Sequence, residues 1–157
     1  MRNEEAPGPM TQASAPEAPG RLGREGARNI AGPTTQFAVL VADDNEVAQR
    51  LCRRVLEKAG YPVLIAADGL QAVDIALNQH PAMILMDVAM PGIDGLEAMR
   101  RIKAQVPTMP IVIASAHSMS SDRDRFLAAG ADDVLSKPFR LADLIAIVEG
   151  FAKAKTG

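Results

Sequence analysis

The chain of 157 residues contains a single cysteine, no tryptophan and only 3% aromatic residues. One cysteine cannot form an internal disulfide, which excludes a secreted disulfide-stapled scaffold and favours a reducing compartment such as the cytoplasm. No apolar run approaches the roughly 18–20 residues of a membrane-spanning helix, and the N-terminus lacks the apolar segment of a signal peptide. The 17 Lys and Arg residues are balanced by 19 Asp and Glu residues, so the basic excess of a nucleic-acid-binding protein is missing too.

Residues 1–36 contain little that could form a core. They hold five Pro, five Gly, four Glu and four Arg, but only two large aliphatic residues, Leu22 and Ile30. Such a segment cannot bury enough apolar surface to offset the conformational entropy that ordering would cost. We therefore expect residues 1–36 to be a disordered N-terminal tail, either dispensable or used as a tether, and residues 37–155 to form the folded domain.

From Phe37 onward, short apolar runs alternate with segments of helical periodicity. The apolar runs predict strands over residues 37–42, 62–67, 82–87, 110–115 and 133–136. The periodic segments predict helices between Asn45 and Gly60 and over residues 70–79, 94–104, 121–129 and 141–152. Strand–helix alternation of this kind is typical of a doubly wound α/β protein with a parallel sheet. The flavodoxin-like strand order 2-1-3-4-5 fits five (βα) units and a site at the carboxyl ends of strands 1 and 3.

Two of the helices carry more detailed expectations. The first is expected to bury an apolar stripe that includes Val47, Leu51 and Cys52, with the thiol inert in the core. The fourth is expected to start at a Ser or Asp cap and to end at Gly130.

Polar residues stand where the predicted strands end. Strand 1 leads into Asp43 and Asp44, strand 3 ends in Asp87, strand 4 ends in Ser115, and strand 5 leads to Lys137. The carboxyl ends of parallel strands meet at one edge of a sheet, where the three carboxylates would repel one another unless a cation neutralised them. Oxygen ligands of this kind suit Mg²⁺, while a lysine and a hydroxyl suit phosphate oxygens. The pattern indicates metal-assisted phosphoryl transfer.

Four motifs give the chain a resemblance to the receiver domains of two-component response regulators. They are VADDNE at 41–46, ILMDVAMPGIDG at 84–95, VIAS at 112–115 and LSKPF at 135–139. Each motif is weak alone, but together they occur in the family's order and spacing over nearly all of residues 37–154. The resemblance implies that Asp87 is the phospho-acceptor, that Ser115 hydrogen-bonds the phosphoryl group and that Lys137 pairs with it. In such families, the peptide bond before the proline of LSKPF is cis.

The resemblance also implies a cofactor and a limited chemistry. Mg²⁺ would be held by Asp43, Asp44 and Asp87, with Asp44 the more direct ligand of the acidic pair, and by the main-chain carbonyl of Ala89. The chain would then not be an enzyme beyond self-catalysed phosphoryl transfer and autodephosphorylation.

The function implied is a phosphorylation-dependent signalling switch that receives its phosphoryl group from a histidine kinase or a histidine phosphotransfer protein. The sequence ends about twenty residues after Lys137, so we expect no output domain. Signalling would depend on a protein partner at the face of helix 4, strand 5 and helix 5, with no direct contact to nucleic acid or membrane. An alternative is a phosphorelay intermediate or the receiver segment of a hybrid kinase, where an Asn such as Asn45 often follows the acidic pair. A metal-dependent phosphohydrolase is disfavoured, because Ala89 stands where such enzymes typically place a second Asp.

One position departs from the family pattern. Receivers often have Tyr or Phe three residues before the lysine, and here that residue is Val134. A valine is too short and too stiff at χ1 to follow the hydroxyl of Ser115 toward a phosphoryl group. We therefore expect phosphoryl-linked change to be confined mainly to residues 115–129, including the 116–121 loop, where His117 is expected to be solvated.

Overall fold

Five strands and five helices alternate along residues 37–116 and 119–156, which are the residues described by the computed structural model. The strands are β1 (Val39–Ala42), β2 (Val63–Ala66), β3 (Met83–Asp87), β4 (Ile111–Ser115) and β5 (Asp133–Ser136). The helices are α1 (Glu46–Lys58), α2 (Gly69–Gln79), α3 (Gly95–Gln105), α4 (Ser120–Ala128) and α5 (Leu141–Thr156). The expected tail over residues 1–36 and the expected solvation of His117 lie outside the described residues.

The strands form one parallel sheet in the order β2-β1-β3-β4-β5. The predicted fold class is therefore confirmed. The register brings the strand ends level, since Asp87 lies opposite Ala114 and Ser115 lies opposite Ser136. As a result, the polar residues that end β3 and β4 share one edge with those that follow β1 and β5.

Both faces of the sheet are covered by helices, which explains why the strands are mostly apolar. On one face, alternate strand residues such as Leu40, Ile84 and Ile113 belong to a core with Met99 of α3 and Phe126 of α4. On the other face, the intervening strand residues pack with α1 and α5; this second core includes Val39, Val41, Met83, Leu85, Val112, Cys52, Leu56, Leu144 and Val148. No helix in the described parts of the chain combines the length and the apolar character that crossing a membrane demands.

Side-chain caps define where three of the helices begin. Asn45, Asp68 and Asp94 each accept a hydrogen bond from the main-chain N–H three residues further on, at 2.8–2.9 Å, as N-cap residues do. Helix α4 is different, because it begins at Ser120 after Met119, which provides no side-chain cap. The expectation of a Ser or Asp cap for this helix is therefore wrong. Helix α5 also continues to Thr156, four residues beyond its expected end.

The apolar stripe of α1 is only partly buried. Cys52 and Leu56 lie in the core, but Val47 and Leu51 are 65% and 46% exposed. The apolar arc is wider than the helix face that packs on the sheet and on α5, so the expectation that Val47 and Leu51 are buried is wrong. The expected burial of Cys52 is correct, and this burial raises the pKa of its thiol to about 11, which keeps the thiol protonated at neutral pH.

Glycine at the start of α3 allows the helix to pack directly on the end of β3. A Cβ atom at Gly95 would collide with the main-chain carbonyl of Asp87, whereas a Cβ atom at Gly150, in α5, would meet nothing within 4 Å. Backbone atoms cannot give way as the end of a flexible side chain can, so the first position requires glycine and the second does not.

We predict that Gly95→Ala and Gly150→Ala change stability in opposite directions. Overpacking should make Gly95→Ala lower the free energy of unfolding by about 1–3 kcal/mol. Gly150→Ala should raise it by up to about 1 kcal/mol, because alanine is the better helix former at a position with open space. Urea unfolding followed by circular dichroism measures both, and equal effects of the two substitutions would contradict the packing described for Gly95.

Candidate functional site

Three carboxylates meet at the carboxyl edge of the sheet. Asp43 directly follows β1, and Asp87 is the last residue of β3; both are buried, whereas Asp44 is exposed. One carboxylate oxygen from each residue lies within 4.8 Å of the other two. Ser115, the last residue of β4, is also buried at this edge. The structure thus brings together the acidic residues that the sequence singled out.

Asp43 is held by contacts from four directions. Its main-chain N–H donates to the carbonyl of Ala66 at 3.0 Å, which extends the pairing of β1 with β2. Its Oδ1 accepts from the N–H of Asn45 at 2.9 Å, and its Oδ2 accepts from the Nζ of Lys137 at 3.3 Å. Its main-chain carbonyl accepts a hydrogen bond of 2.6 Å from the Nε2 of Gln49 in α1. The direction of this carboxylate is therefore set before any ligand arrives.

Lys137 bridges the two buried carboxylates. Its Nζ lies 3.3 Å from Oδ2 of Asp43 and 3.3 Å from Oδ2 of Asp87. Its main-chain N–H donates to the carbonyl of Ser115 at 2.9 Å, and the Lys137–Pro138 peptide bond is cis, as the resemblance implies. Burial lowers the pKa of the lysine, but the carboxylates of Asp43 and Asp87 outweigh burial and raise it above its ordinary value. Lys137 therefore stays positively charged inside the site.

The carboxyl group of Asp87 lies in an electrostatically unfavourable place. Burial raises its pKa above the ordinary value, Lys137 opposes this effect, and the charge of Asp43 reinforces it. A long hydrogen bond of 3.4 Å, from the N–H of Ala89 to Oδ1 of Asp87, lowers the pKa only slightly. An extra positive charge at the open side of the cluster would stabilise the ionised form.

The donor set fits Mg²⁺. The three side chains offer hard oxygen atoms only, and Mg²⁺ in proteins takes one or two carboxylates together with waters and phosphate oxygens. The exposed position of Asp44 leaves one side of the cluster open to such oxygens. A small cavity of about 30 Å³ adjoins the buried side of the site, and its apolar lining includes Cys52, Leu85 and Phe139. A divalent ion held by these carboxylates would keep access to solvent on the side of Asp44.

Val134, which stands where many receivers have an aromatic residue, is contacted from α4 through its main chain. Val134 is buried, and its main-chain carbonyl accepts a hydrogen bond of 3.1 Å from the guanidinium group of Arg123 in α4. The same guanidinium group contacts the carboxylate of Asp133 at 2.9 Å. Arg123 therefore ties α4 to the edge strand β5.

Gln49, Gly95 and Arg123 make supporting contacts around the site that the sequence analysis did not predict. All three act on main-chain atoms of other elements, at Asp43, Asp87 and Val134 respectively. The position of Gly95 within the motif ILMDVAMPGIDG was a usable signal. A glutamine or an arginine in the first turns of a helix gives no such signal, because long polar side chains at those positions are usually solvated.

The sequence matches the family of response regulator receiver domains over residues 39–149. Among curated proteins, it is 41% identical over 108 residues to the response regulator MprA of Mycobacterium sp. (strain KMS). That match covers 69% of this chain and 47% of the relative. The MprA protein of Mycolicibacterium vanbaalenii is 37% identical over 118 residues, which are 75% of this chain and 51% of the relative. The chain thus spans about half the length of the curated relatives it matches.

Solved structures show the same relationship. The receiver domain of the Francisella response regulator 1452 superimposes with a TM-score of 0.72 at 30% identity, covering 75% of this chain and 98% of that one. The receiver domain of the sensor histidine kinase PA1611 from Pseudomonas aeruginosa PAO1, solved with a magnesium ion in its active-site cleft, gives a TM-score of 0.69 at 38% identity. It covers 74% of this chain and 98% of that one. Fold, motifs and matched length agree, and the chain belongs to the response regulator receiver domains, which are signalling switches of two-component systems rather than classical enzymes.

Proposed function

We propose that this chain is a phosphorylation-dependent switch in which Asp87 accepts a phosphoryl group from the phosphohistidine of a histidine kinase or a histidine phosphotransfer protein. The observation that carries the proposal is the setting of Asp87 at the end of the central strand β3. Its carboxylate lies 3.3 Å from the Lys137 ammonium group and within 4.8 Å of oxygen atoms from Asp43 and Asp44. Packing alone would favour an apolar residue at the end of a buried strand, so it does not account for a carboxylate beside a lysine and two further carboxylates.

The transfer needs little covalent chemistry from the protein. An oxygen of the Asp87 carboxylate attacks the phosphorus atom, the P–N bond to the donor imidazole breaks, and its electron pair returns to the ring nitrogen. Lys137, already charged and beside Asp87, pairs with a phosphoryl oxygen, and the hydroxyl of Ser115 donates to another. Hydrolysis of the resulting acyl phosphate by water resets the switch, so the only reactions are transfer to Asp87 and autodephosphorylation.

Mg²⁺ is the proposed cofactor. Asp43, Asp44 and Asp87 would hold the ion with the main-chain carbonyl of Ala89, and Asp44 is the carboxylate on the open side. When bound, the ion supplies positive charge that offsets the charge of the carboxylates and of the entering phosphoryl group. The chain contributes by fixing the oxygens of Asp43 and Asp87 in place through Asn45 and Lys137.

We further propose that the output is a contact with a protein partner, in the cytoplasm, at the face formed by α4, β5 and α5. This face exposes the apolar side chains of Met119, Leu127 and Leu141, of which Met119 is 75% exposed. Because Val134 cannot act as an aromatic switch, change at the phosphoryl site would reach the face through Ser115 and the start of α4. Arg123 would then restrain how far α4 departs from β5.

A phosphorelay intermediate, or a receiver related to those of hybrid kinases, is the second candidate. The similarity at 38% identity to the receiver of a sensor histidine kinase supports it, and so does Asn45 after the acidic pair. In that case, Asp87 would pass its phosphoryl group on to a histidine instead of holding it for a partner to recognise. A phosphohydrolase lacks support, because Ala89 cannot serve as an acid or base.

We predict that Asp87→Asn abolishes phosphorylation by acetyl phosphate or by a cognate kinase, because an amide cannot form the acyl phosphate. Asp124→Asn, at an exposed position of α4, is the matched control and should be phosphorylated like the wild type. Incorporation is measured by intact-protein mass spectrometry, in which the phosphoryl group adds a defined mass. Undiminished incorporation in Asp87→Asn would exclude this acceptor.

We predict that Asp44→Ala loses Mg²⁺ binding and phosphorylation but remains folded. Removing one of three crowded carboxylates relieves repulsion, so the free energy of unfolding without Mg²⁺ should stay the same or increase. Mg²⁺ titrations, phosphorylation with and without EDTA, and urea unfolding test the three parts. Phosphorylation of the wild type that persists in EDTA would refute the requirement for a metal.

We predict that beryllofluoride, a phosphoryl mimic, changes amide chemical shifts in the presence of Mg²⁺ mainly within residues 115–129, apart from the residues that hold the mimic and the ion themselves. At β5, only Asp133 and Val134 should follow, because Arg123 connects them to α4. Arg123→Ala should remove the response of β5 while that of residues 115–129 persists. Chemical-shift changes across β5 and α5 as large as those in residues 115–129 would show that coupling does not run through Arg123 alone.

A further inference from the structure

Gln49 makes a contact that joins helix α1 to the acidic pair. Its Nε2 donates a hydrogen bond of 2.6 Å to the main-chain carbonyl of Asp43. That carbonyl belongs to the peptide group that links Asp43 to Asp44, so the glutamine holds the plane from which both side chains project. The side chain of Gln49 lies in the first turns of α1 and is half-buried.

The remaining contacts of this loop act on Asp43 and on Asn45, whose side chain and main-chain carbonyl accept hydrogen bonds from the first turn of α1. The N–H of Asn45 and the Nζ of Lys137 fix the carboxylate of Asp43, and the carbonyl of Ala66 fixes its main-chain N–H. Asp44 is exposed, so the direction of its side chain depends on the peptide groups on either side of it, and Gln49 holds the one that precedes it. Rotation of that peptide group would turn the carboxylate of Asp44 away from the point where it meets the other two.

We propose that Gln49 is a positioning residue for the divalent cation: by holding the Asp43–Asp44 peptide, it aims both carboxylates at one ion. This inference rests on the proposed function, since it assigns a supporting role at the same metal site. A neutral amide suits the position, because it donates to the carbonyl without adding a positive charge beside the cation. A carboxylate of the same length would instead repel the carbonyl oxygen.

The expected effect is a loss of metal affinity larger than the loss of fold stability. Removing a group that orients metal ligands from the outer shell weakens metal binding by about 10–100-fold in known sites. Because Gln49 makes one such hydrogen bond, we expect its loss to have an effect near the lower end of that range. Once the ion is bound at saturation, the carboxylates are aligned by the ion itself. The phosphorylation rate at saturating Mg²⁺ should therefore recover toward the wild-type rate.

The test compares Gln49→Met with Gln71→Met in the full chain. Methionine matches the length of glutamine but has no N–H donor. Gln71 is a matched control, because its Oε1 accepts a hydrogen bond of 2.9 Å from the N–H of Ala67, in the loop between β2 and α2, which carries none of the three carboxylates. Both substitutions thus remove one bond between a helix and the loop before it. Gln49→Ala, which has high helix propensity, provides a second variant should methionine disturb folding.

Mg²⁺ alone is the probe, titrated while amide chemical shifts are recorded, with urea unfolding as the measure of fold stability. We expect Gln49→Met to raise the Mg²⁺ dissociation constant about tenfold and Gln71→Met to leave it within about twofold. A dissociation constant for Gln49→Met within twofold of the wild type, or an equal rise in both variants, would overturn this inference alone. A wild-type chain that bound no Mg²⁺ would overturn the proposed function and this inference together.

Discussion

The crowding of negative charge at the carboxyl edge of the sheet is the constraint around which this domain is arranged. Asp43, Asp44 and Asp87 place oxygen atoms within 4.8 Å of one another, and two of the three side chains are buried. Lys137 reaches both buried carboxylates and compensates part of that charge. The negative charge that remains would be offset by a cation on the open side of the cluster, where Asp44 is exposed.

The sequence predicted most of the fold because apolar runs and helical periodicity translate directly into a parallel sheet with two covered faces. Its errors have physical causes. Helix α4 starts after Met119 without a side-chain cap, and the sequence offered several Ser and Asp residues as plausible caps. The apolar positions Val47 and Leu51 of α1 are exposed, because periodicity indicates which residues share a face but not how much of that face is covered.

The residues of the site could also be predicted from the sequence, but the contacts that support them could not. Residues at the ends of parallel strands converge because the topology requires it, so the sequence alone predicts that Asp43, Asp87 and Ser115 lie together. The supporting contacts could not be predicted, because Gln49 and Arg123 act through hydrogen bonds to main-chain carbonyls whose positions depend on the folded loops. Fold and motif therefore identify the chemical groups, while the hydrogen bonds that support their positions are visible only in the structure.

We propose that the acyl phosphate forms on Asp87 and on neither of its two acidic neighbours. The most direct measurement treats the phosphorylated wild-type chain with borohydride, which reduces an acyl phosphate to the corresponding alcohol, and then locates the changed residue by peptide mass spectrometry. We expect residue 87 to be converted to homoserine, in proportion to the phosphoryl group incorporated and only when Mg²⁺ was present. Conversion at Asp43 or Asp44, or conversion at Asp87 without Mg²⁺, would contradict this proposal.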